Sequence, residues 1–394
     1  MNAPSLLVAH PWMARGGSEA TAMWTLQALQ EDCEVTFVTS STVDWEELNR
    51  AYGTTVKPDL IRVLRGPALP TVNNPLRFSH LQVRYFERYC HRLARDYDLC
   101  VSAYNPIHFG KPAIQIIGDF SFSEEMRKRL YIHGEEKFQH RENLLRKLYL
   151  AAGSLLEVKQ PPLRERGDLI LANSDWSAAQ LESHFGVSDA KVLYPPVILP
   201  RAPAGIARDP LGFACLGRVV PEKELERILR ILGRVRESGR PVTLQLIGNL
   251  DESDYGRSFA AAIAPHRDWV TPTGFLDLEA KQNLLARQTY AIHACRIEAF
   301  GIAVAEMAAM GCVPFVPDTG GAGEIVFFPE LQFGSDDEAV AKILALLADP
   351  ERTGYFREKL PARMERFAPT NFMTQLRKVV LEFSDSGDEV CQSN

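Results

Sequence analysis

Two glutamates lie in an otherwise nearly apolar stretch of the sequence, RIEAFGIAVAEMAAMGCVPFV, which runs from Arg296 to Val316. Because an isolated buried carboxylate costs several kcal/mol, Glu298 and Glu306 each need a hydrogen-bonding partner. The stretch follows a strand-like run, TYAIHAC, and open α/β sheets bind ligands at the carboxyl ends of their strands. We therefore interpret Glu306 as a group that binds sugar or ribose hydroxyls; the alternative is an ion pair with a buried arginine.

Backbone amides form a second candidate site directly after Glu298. The run IAVAEMAAMG predicts a helix that ends at Gly311. The first amides of a helix lack an acceptor within the helix and carry the positive end of its dipole, so they can bind a polar ligand. The amides concerned are those of Phe300, Gly301 and Ile302.

Two cations follow another predicted strand, in the motif GRVVPEKEL. Arg218 and Lys223 are five residues apart, across a turn that contains Pro221. A guanidinium fork and a flexible ammonium from one loop suit a diphosphate. The alternative is a pair of solvated surface cations, because Glu222 and Glu224 lie beside them.

Glycine pairs follow two further predicted strands. Gly16 and Gly17 lie between the first strand and the first helix, where the backbone can approach a ligand and helix amides can receive phosphate oxygens. Gly320 and Gly321 occupy the equivalent place in DTGGAGEIV. Each pair fits either a bound phosphate or sugar or a plain turn. Since the first pair is not part of a GxGxxG motif, a dinucleotide fingerprint is not supported.

The elements around these motifs alternate short apolar runs with longer helical patterns, which predicts an α/β protein with parallel sheets. In the helix SDWSAAQLESHFG, Ser174 or Asp175 is the predicted N-cap and Gly186 the stop signal. The proline-rich segment 191–210 is the predicted linker, and the strand–helix rhythm restarts after it. Two Rossmann-like domains that face each other across a cleft are therefore predicted.

The predicted domains divide the 394 residues as follows. The N-terminal domain takes residues 1–198, and the C-terminal domain takes residues 199–367. A helix over 368–384 is expected to return to the first domain. The polar residues 385–394 are predicted to be disordered.

Bulk composition excludes several classes of protein. A net charge of −6 argues against a nucleic-acid binder. The seven cysteines have no CxxC spacing, so a disulfide framework or a zinc site is not expected and a reducing compartment is favoured. No apolar run reaches the ~18 residues of a membrane span, and the N-terminus lacks the features of a signal peptide. These observations predict a cytoplasmic location.

Two stretches of the first domain are basic and rich in aromatic residues, 77–95 and 126–150. In an acidic protein they suggest a face for an anionic acceptor or for peripheral contact with a membrane. The alternative is a set of helices with solvated charged faces, since Glu135, Glu136 and Glu142 dilute the second stretch.

These motifs together resemble the retaining nucleotide-sugar glycosyltransferases of glycosyltransferase family 4, which have the two-Rossmann fold called GT-B. The resemblance spans nearly the whole chain, and the spacing of Glu298 and Glu306 is its most specific mark. The middle of the chain, with GDFSFSEEM and ILANSDWSAAQLESHFGVSDAKVLYPPV, is similar to eukaryotic α-1,2-mannosyltransferases that extend lipid-linked oligosaccharides. The motifs that carry the family resemblance are the Gly-Gly turn after the first strand, GRVVPEKEL, LIGN, HACRIEAFGIAVAEMAAMG and DTGGAGEIV.

The resemblance implies that the N-terminal domain binds the acceptor and that the C-terminal domain binds the nucleotide sugar. It also implies how the diphosphate of the donor is held. Gly17, with Gly16 beside it, would offer its amide to the diphosphate across the cleft. Arg218 and Lys223 would stabilise the leaving nucleoside diphosphate. No metal and no cofactor are expected, because two cations can take the role that magnesium has elsewhere.

The resemblance also implies how the sugar and nucleoside are held. Glu298 would contact the transferred sugar with help from the amides near Phe300 and Gly301, and Glu306 would hold the ribose hydroxyls. The base would be bound by backbone groups near Ile247, Gly248 and Gly274. The implied reaction moves a hexosyl group to a hydroxyl of a glycan, glycolipid or small molecule, with retention by same-face substitution. GDP-mannose is slightly favoured over a UDP-sugar.

One departure from the family pattern concerns the sugar pocket. Many relatives have a histidine where this chain has Gly118, followed by Asp119. Either Asp119 takes over the sugar contact, or the pocket admits another sugar, or activity is reduced. His108 is a poorer substitute, and His293 is interpreted as structural.

Three alternatives to a transferase remain open. A sugar-nucleotide epimerase of the same fold would need further acid and base residues. A phosphorylase with pyridoxal phosphate would need a Schiff-base lysine in the second domain, where Lys281 is the only isolated lysine and its helix looks exterior. A non-catalytic subunit that binds a nucleotide sugar is suggested by Gly118.

Overall fold

The computed structural model describes residues 3–13, 16–68, 79–130, 144–156, 158–199 and 205–391. The chain divides into two compact units. The second unit includes Val197–Ala368, while the preceding strands and the helix that begins at Pro369 belong to the first. Each unit is built on one parallel sheet.

The first unit contains a seven-stranded sheet in the order β3-β2-β1-β4-β5-β6-β7. Neighbouring strands are parallel, and Val8 lies between Phe37 and Val101 in the register. The central strands are buried on both faces, as is usual for a parallel sheet covered by helices. The strands are β1 Ser5–Ala9, β2 Glu34–Thr39, β3 Ile61–Arg65, β4 Leu99–Ser102, β5 Ile114–Ile117, β6 Leu169–Ala172 and β7 Lys191–Val192.

Helices connect these strands, and their ends follow the local sequence signals. The side chain of Ser174 caps α6 by accepting a hydrogen bond from the amide of Ser177, and Gly186 ends the helix with a φ of 67°. Both predicted boundaries of this helix are confirmed. The helices are α1 Gly17–Leu29, α2 Trp45–Tyr52, α3 Ser79–Leu93, α4 Glu124–Leu130, α5 Leu144–Leu156 and α6 Asp175–Phe185.

The second unit contains a six-stranded sheet in the order β10-β9-β8-β11-β12-β13. After β8 the chain adds β9 and then β10 on one side of it. It then returns to the other side of β8, where it adds β11, β12 and β13 in turn. The loops that follow β8 and β11 therefore leave the sheet at its topological switch point, where open α/β sheets bind ligands. The strands are β8 Asp209–Leu216, β9 Thr243–Ile247, β10 Val270–Gly274, β11 Gln288–Ile292, β12 Val313–Pro317 and β13 Gln332–Phe333.

Seven α-helices accompany this sheet among the residues described. The sequence analysis did not single out α8 or α13, and α13 carries an internal proline, Pro361. Helix α10 ends two residues before Gly311, which has the left-handed φ of 78°. The helices are α7 Leu225–Glu237, α8 Asp254–Ile263, α9 Leu278–Ala286, α10 Ile302–Ala309, α11 Ala322–Val326, α12 Asp336–Leu347 and α13 Pro350–Met364.

The last helix, α14 Pro369–Cys391, belongs to the first unit, as predicted. Phe372, Leu376 and Val380 recur every four residues and are buried in the core formed with α1 and the sheet. Residues 385–391, which composition predicts to be disordered, continue this helix. Once a helix is nucleated each further residue adds a hydrogen bond, and the single glycine in this stretch costs only about 1 kcal/mol.

Among the described residues, no helix combines the length and the apolar character that crossing a membrane requires.

Replacing Leu376 with alanine tests whether α14 is part of the first unit's core. We expect Leu376→Ala to lower the free energy of unfolding of this unit by about 2–5 kcal/mol, because the side chain is fully buried. Leu381→Ala, on the same helix but 59% exposed, is the matched control and should change it by less than about 0.5 kcal/mol. Urea denaturation measures both; equal effects would contradict the packing of α14.

Candidate functional site

Two ion pairs join the loops that leave the second sheet at its switch point. Lys223, after β8, donates a hydrogen bond to Oε2 of Glu298, after β11. The guanidinium of Arg296 donates to both carboxylate oxygens of Glu224 at 2.7–3.1 Å. Lys223 and Glu224, which are consecutive on one loop, thus each pair with a residue of the other loop. These two pairs fix the loops to each other.

The Lys223–Glu298 pair is mostly buried, with 20% and 18% of the side chains exposed. Burial would raise the pKa of Glu298, but the charge of Lys223 and the nearby His293 bring that pKa well below its usual range. Burial would likewise lower the pKa of Lys223, but Glu298 more than offsets this and raises it. Both groups are therefore charged at neutral pH.

His293 lies beside the same carboxylate. Its Nε2 atom is 3.1 Å from Oε2 of Glu298, and only 3% of its side chain is exposed. The sequence analysis interpreted this histidine as structural and missed its place next to Glu298. The available signal was its position immediately after β11, on the loop that carries the glutamate.

One oxygen of Glu298 remains available. Among the described residues, Oε1 has no hydrogen-bond partner, whereas Oε2 contacts Lys223 and faces His293. The side chain lies next to Gly301, the N-cap of α10, because a Cβ atom there would be 3.3 Å from Cγ of Glu298. The amide of Ile302, in the first turn, has no acceptor within the helix. The predicted carboxylate and amides are therefore neighbours.

The second glycine turn supports this loop from behind. The amide of Gly321 donates to the carbonyl of Glu298 at 2.7 Å. A Cβ atom on Gly321 would lie 2.2 Å from the carbonyl oxygen of Ala299, so only glycine fits this close approach. The contacts of Gly321 give this turn a structural role in holding Glu298.

Glu306 has a protein partner that the sequence analysis did not foresee. Nζ of Lys281, on α9, donates to its Oε1 at 2.7 Å, and each side chain is 19% exposed. The sequence analysis interpreted the helix of Lys281 as exterior, and only Leu285 and Ala286 of this helix are buried, but the lysine side chain itself is only 19% exposed. Among the described residues Oε2 of Glu306 has no partner.

Arg218 follows β8 on the same loop as Lys223. It is exposed, and it makes no hydrogen bond or ion pair with any residue that the structure describes. Glu224, one residue after Lys223, has a φ of 49°, a left-handed conformation that costs a non-glycine residue about 1–2 kcal/mol. Its bidentate pair with Arg296 stabilises this strained turn, which orients the loop.

Gly248 and Gly274 follow β9 and end β10, at the same edge of the sheet. The amide of Gly248 donates to the carbonyl of Gly274 at 3.2 Å. It forms an isolated antiparallel bridge at the carboxyl ends of these two parallel strands. Their predicted contact with a base stays a prediction.

The remaining predicted residues lie in the first unit. Gly17 begins α1, and the amide of Gly16 donates to the hydroxyl of Tyr52 at 3.0 Å. Sequence reasoning missed Glu19, which is only 4% exposed and whose carboxylate covers Gly16. It also missed His10, which is fully buried and whose ring nitrogens have no hydrogen-bond partner among the described residues.

Asp119 follows β5 and is built into a local turn. Its Oδ1 atom accepts hydrogen bonds from Nδ2 of Asn105 at 2.7 Å and from the amide and hydroxyl of Ser121 at 2.9 and 2.6 Å. Its other oxygen has no partner among the residues described. The proposed sugar contact of Asp119 and the diphosphate contact of Gly17 stay predictions.

His293, Cys295 and Glu298 bring three possible metal ligands within 4.8 Å of one another. Two features do not favour a metal here. Burial raises the pKa of the Cys295 thiol to about 12, and the ammonium of Lys223 already contacts the glutamate oxygen that faces His293. An ammonium–carboxylate pair accounts for this arrangement.

Comparisons with known proteins agree with the fold. Residues 201–366, less than half of the chain, match the family model described as Glycosyl transferases group 1. No curated protein shows significant sequence similarity.

Several solved structures share the fold over almost their full length. HepE of Anabaena, in complex with UDP and glucose, is 17% identical with a TM-score of 0.67, covering 96% of this chain and 99% of its own. Sucrose-phosphate synthase of Thermosynechococcus elongatus is 15% identical with a TM-score of 0.72, covering 97% and 100%. WaaG, a glycosyltransferase involved in lipopolysaccharide biosynthesis, is 15% identical with a TM-score of 0.64, covering 95% and 98%. The predicted GT-B fold is confirmed.

Removing Lys223 tests how strongly the paired loops depend on it. We expect Lys223→Met to lower the free energy of unfolding by about 2–4 kcal/mol, less than the ~3–5 kcal/mol of a fully buried pair, because it leaves Glu298 charged and poorly solvated. Lys359→Met is the matched control, since Lys359 pairs with Glu358 on the surface at 2.9 Å. Urea denaturation of both variants makes the comparison, and equally small losses would show that the pair is solvated.

Proposed function

We propose that this protein is a retaining glycosyltransferase of family 4 that transfers a hexosyl group from a nucleotide-diphospho-sugar to a hydroxyl group. The observation that carries the proposal is the Lys223–Glu298 pair at the switch point of the second sheet, with one carboxylate oxygen free. The match of residues 201–366 to group 1 glycosyl transferases supports it.

In the proposed reaction, the free oxygen of Glu298 accepts a hydrogen bond from a hydroxyl of the transferred sugar. Arg218 and Lys223 balance the negative charge that grows on the leaving diphosphate. The bond between the anomeric carbon and the phosphate oxygen breaks, and a bond to the acceptor oxygen forms on the same face. The acceptor proton passes to the departing phosphate oxygen, so no protein nucleophile is required.

Two donor bases compete in this proposal. The mannosyltransferase-like middle of the sequence favours GDP-mannose slightly. The complex of HepE with UDP and glucose favours a UDP-sugar. The predicted base contacts near Gly248 and Gly274 are backbone groups, which leave no signature in the side chains, so both donors enter the test.

The competing functions find less support. A phosphorylase would need a free lysine for its Schiff base, and the Nζ atom of Lys281 is already 2.7 Å from Oε1 of Glu306. A non-catalytic subunit would bind the nucleotide sugar without turning it over. The distinction between transferase and binding subunit is therefore one of turnover.

A panel of UDP-, GDP- and ADP-sugars with simple glycoside acceptors tests the proposal. We expect free nucleoside diphosphate and a new glycoside of retained configuration, because same-face substitution keeps the anomeric configuration of the donor. Mass spectrometry and nuclear magnetic resonance identify the product. Tight nucleotide binding without turnover would favour the binding subunit, and an inverted anomer would contradict the mechanism.

Variants separate donor binding from chemistry in the same assay. Glu306→Ala should raise the KM for the donor, because the ribose contact is made in both the ground and the transition state. Lys223→Ala should mainly lower kcat, because the diphosphate charge grows in the transition state. Unchanged kinetics in both would place the donor elsewhere.

We propose in addition that the first unit contacts an anionic membrane surface and that the protein is cytoplasmic. On α5, Leu144, Leu148 and Leu155 are 72%, 59% and 83% exposed and share one face of the helix, with exposed Lys147 at its edge. An apolar stripe flanked by a cation suits the headgroup region of such a membrane. Arg77 and Lys137 of the basic stretches lie outside the described residues.

The cytoplasmic location is supported by the cysteines. Buried free thiols such as Cys90 and Cys100 fit a reducing compartment.

Co-sedimentation with vesicles tests the membrane contact. We expect binding to phosphatidylglycerol-containing vesicles but not to phosphatidylcholine alone, and a loss of most of it in Leu144→Ser/Leu148→Ser/Leu155→Ser, because both charge and apolar area contribute. Leu381→Ser is the control, because this leucine of α14 is 59% exposed, as Leu148 is. Equal binding by the triple variant and the control would contradict a role for α5.

A further inference from the structure

Lys281 lies near the start of α9, four residues after the N-cap Asp277. Asp277 accepts a hydrogen bond from the amide of Ala280 at 2.8 Å, and the amide of Lys281 donates to the carbonyl of Asp277 at 2.9 Å. A cation near the N-terminus of a helix gains nothing from the helix dipole. The contact that accounts for the placement of its side chain is the one with Glu306.

The Lys281–Glu306 pair leaves both kinds of hydrogen-bonding capacity unused. One ammonium hydrogen is donated to Oε1 of Glu306 at 2.7 Å, so two remain, and Oε2 of Glu306 has no partner among the described residues. Both side chains are four-fifths buried, where unmet hydrogen bonds are costly. The pair thus offers one acceptor and up to two donors within a short distance.

The charge of the pair indicates what kind of group it suits. The ammonium and the carboxylate neutralise each other, so the pair does not present a net positive charge to a phosphate. A vicinal diol fits, because each hydroxyl can donate and accept. One hydroxyl can donate to Oε2 of Glu306 while its neighbour accepts from Nζ of Lys281.

We propose that Lys281 and Glu306 act together as a receptor for the cis-diol of the donor ribose, and that Lys281 determines the selectivity for ribonucleotides over 2′-deoxyribonucleotides. The proposal rests on the proposed function, which assigns the ribose to Glu306, and adds the lysine as the second half of the site. A 2′-deoxy nucleotide leaves one of these mostly buried charged groups without its ligand hydrogen bond. A site built to bind a hydroxyl discriminates strongly against the analogue that lacks it.

Isothermal titration of the whole protein with UDP against dUDP, and with GDP against dGDP, tests this. For the nucleotide that binds, we expect the ribonucleotide to bind roughly 10- to 100-fold more tightly than its 2′-deoxy analogue. In Lys281→Met we expect this ratio to fall to about threefold or less, because the methionine fills the space without donating. Lys281→Arg, which can still donate, should recover part of the ratio.

The control is Lys342→Met, which removes another lysine–glutamate pair of the same unit, with Nζ of Lys342 2.6 Å from Oε1 of Glu338 on α12. It should keep the full ratio. The proposal is overturned if Lys281→Met keeps the ratio, if both nucleotides weaken equally, or if the unaltered protein does not distinguish them. If one of these results is found while the ribonucleotide still binds tightly, only the inference about Lys281 is overturned and the proposed function is left intact. No binding of either ribonucleotide would overturn both.

Circular dichroism confirms that each variant is folded. If Lys281→Met is not, Lys281→Leu replaces it, because leucine is also apolar and donates no hydrogen bond. The ratio of two affinities is insensitive to a loss of active protein, so a merely structural role for Lys281 does not change it.

Discussion

The ion pair between Lys223 and Glu298 is the interaction on which the rest of the second unit's site depends. Each group is about four-fifths buried, so neither charge is tolerable without the other. Together they link the two loops that leave the sheet at its switch point. The carboxylate is therefore charged and oriented before any ligand arrives, with one oxygen committed to the protein and the other available.

Contacts of the surrounding backbone hold the two loops that carry the Lys223–Glu298 pair, so the pair cannot rearrange without them. Gly321 packs directly on the backbone of the Glu298 loop, and Arg296 holds the strained turn at Glu224 from the other side. Glu306 repeats the arrangement one helix turn into α10, with Lys281 as its partner. In both cases a lysine takes one oxygen of a glutamate and leaves the other free, so a single physical device orients both candidate ligand-binding carboxylates.

Much of the fold and part of the site could be predicted from local patterns. The parallel sheets, the caps of α6 at Ser174 and Gly186, and the placement of Glu298 after a central strand follow from periodicity and capping. The GT-B fold follows from the resemblance. The partner of Lys281 could not be assigned, because Glu306 lies 25 residues further along the chain and no local pattern encodes that contact. His293 did have a local signal, since Glu298 follows it on the same loop. Residues 385–391 continue α14 although their composition is polar, since a polar composition does not by itself end a helix.

By itself, the sequence determined that two carboxylates and two cations would follow strands of a parallel sheet, because strand and helix periodicity is a local property of the chain. Only the tertiary structure decided which charge meets which. The crossing order β10-β9-β8-β11-β12-β13 makes β8 and β11 neighbours, so Lys223 reaches Glu298 rather than solvent. The reason is that a charged group that loses its water needs a partner of opposite charge. Which partners lie within its reach is decided only when the strands take their order in the sheet.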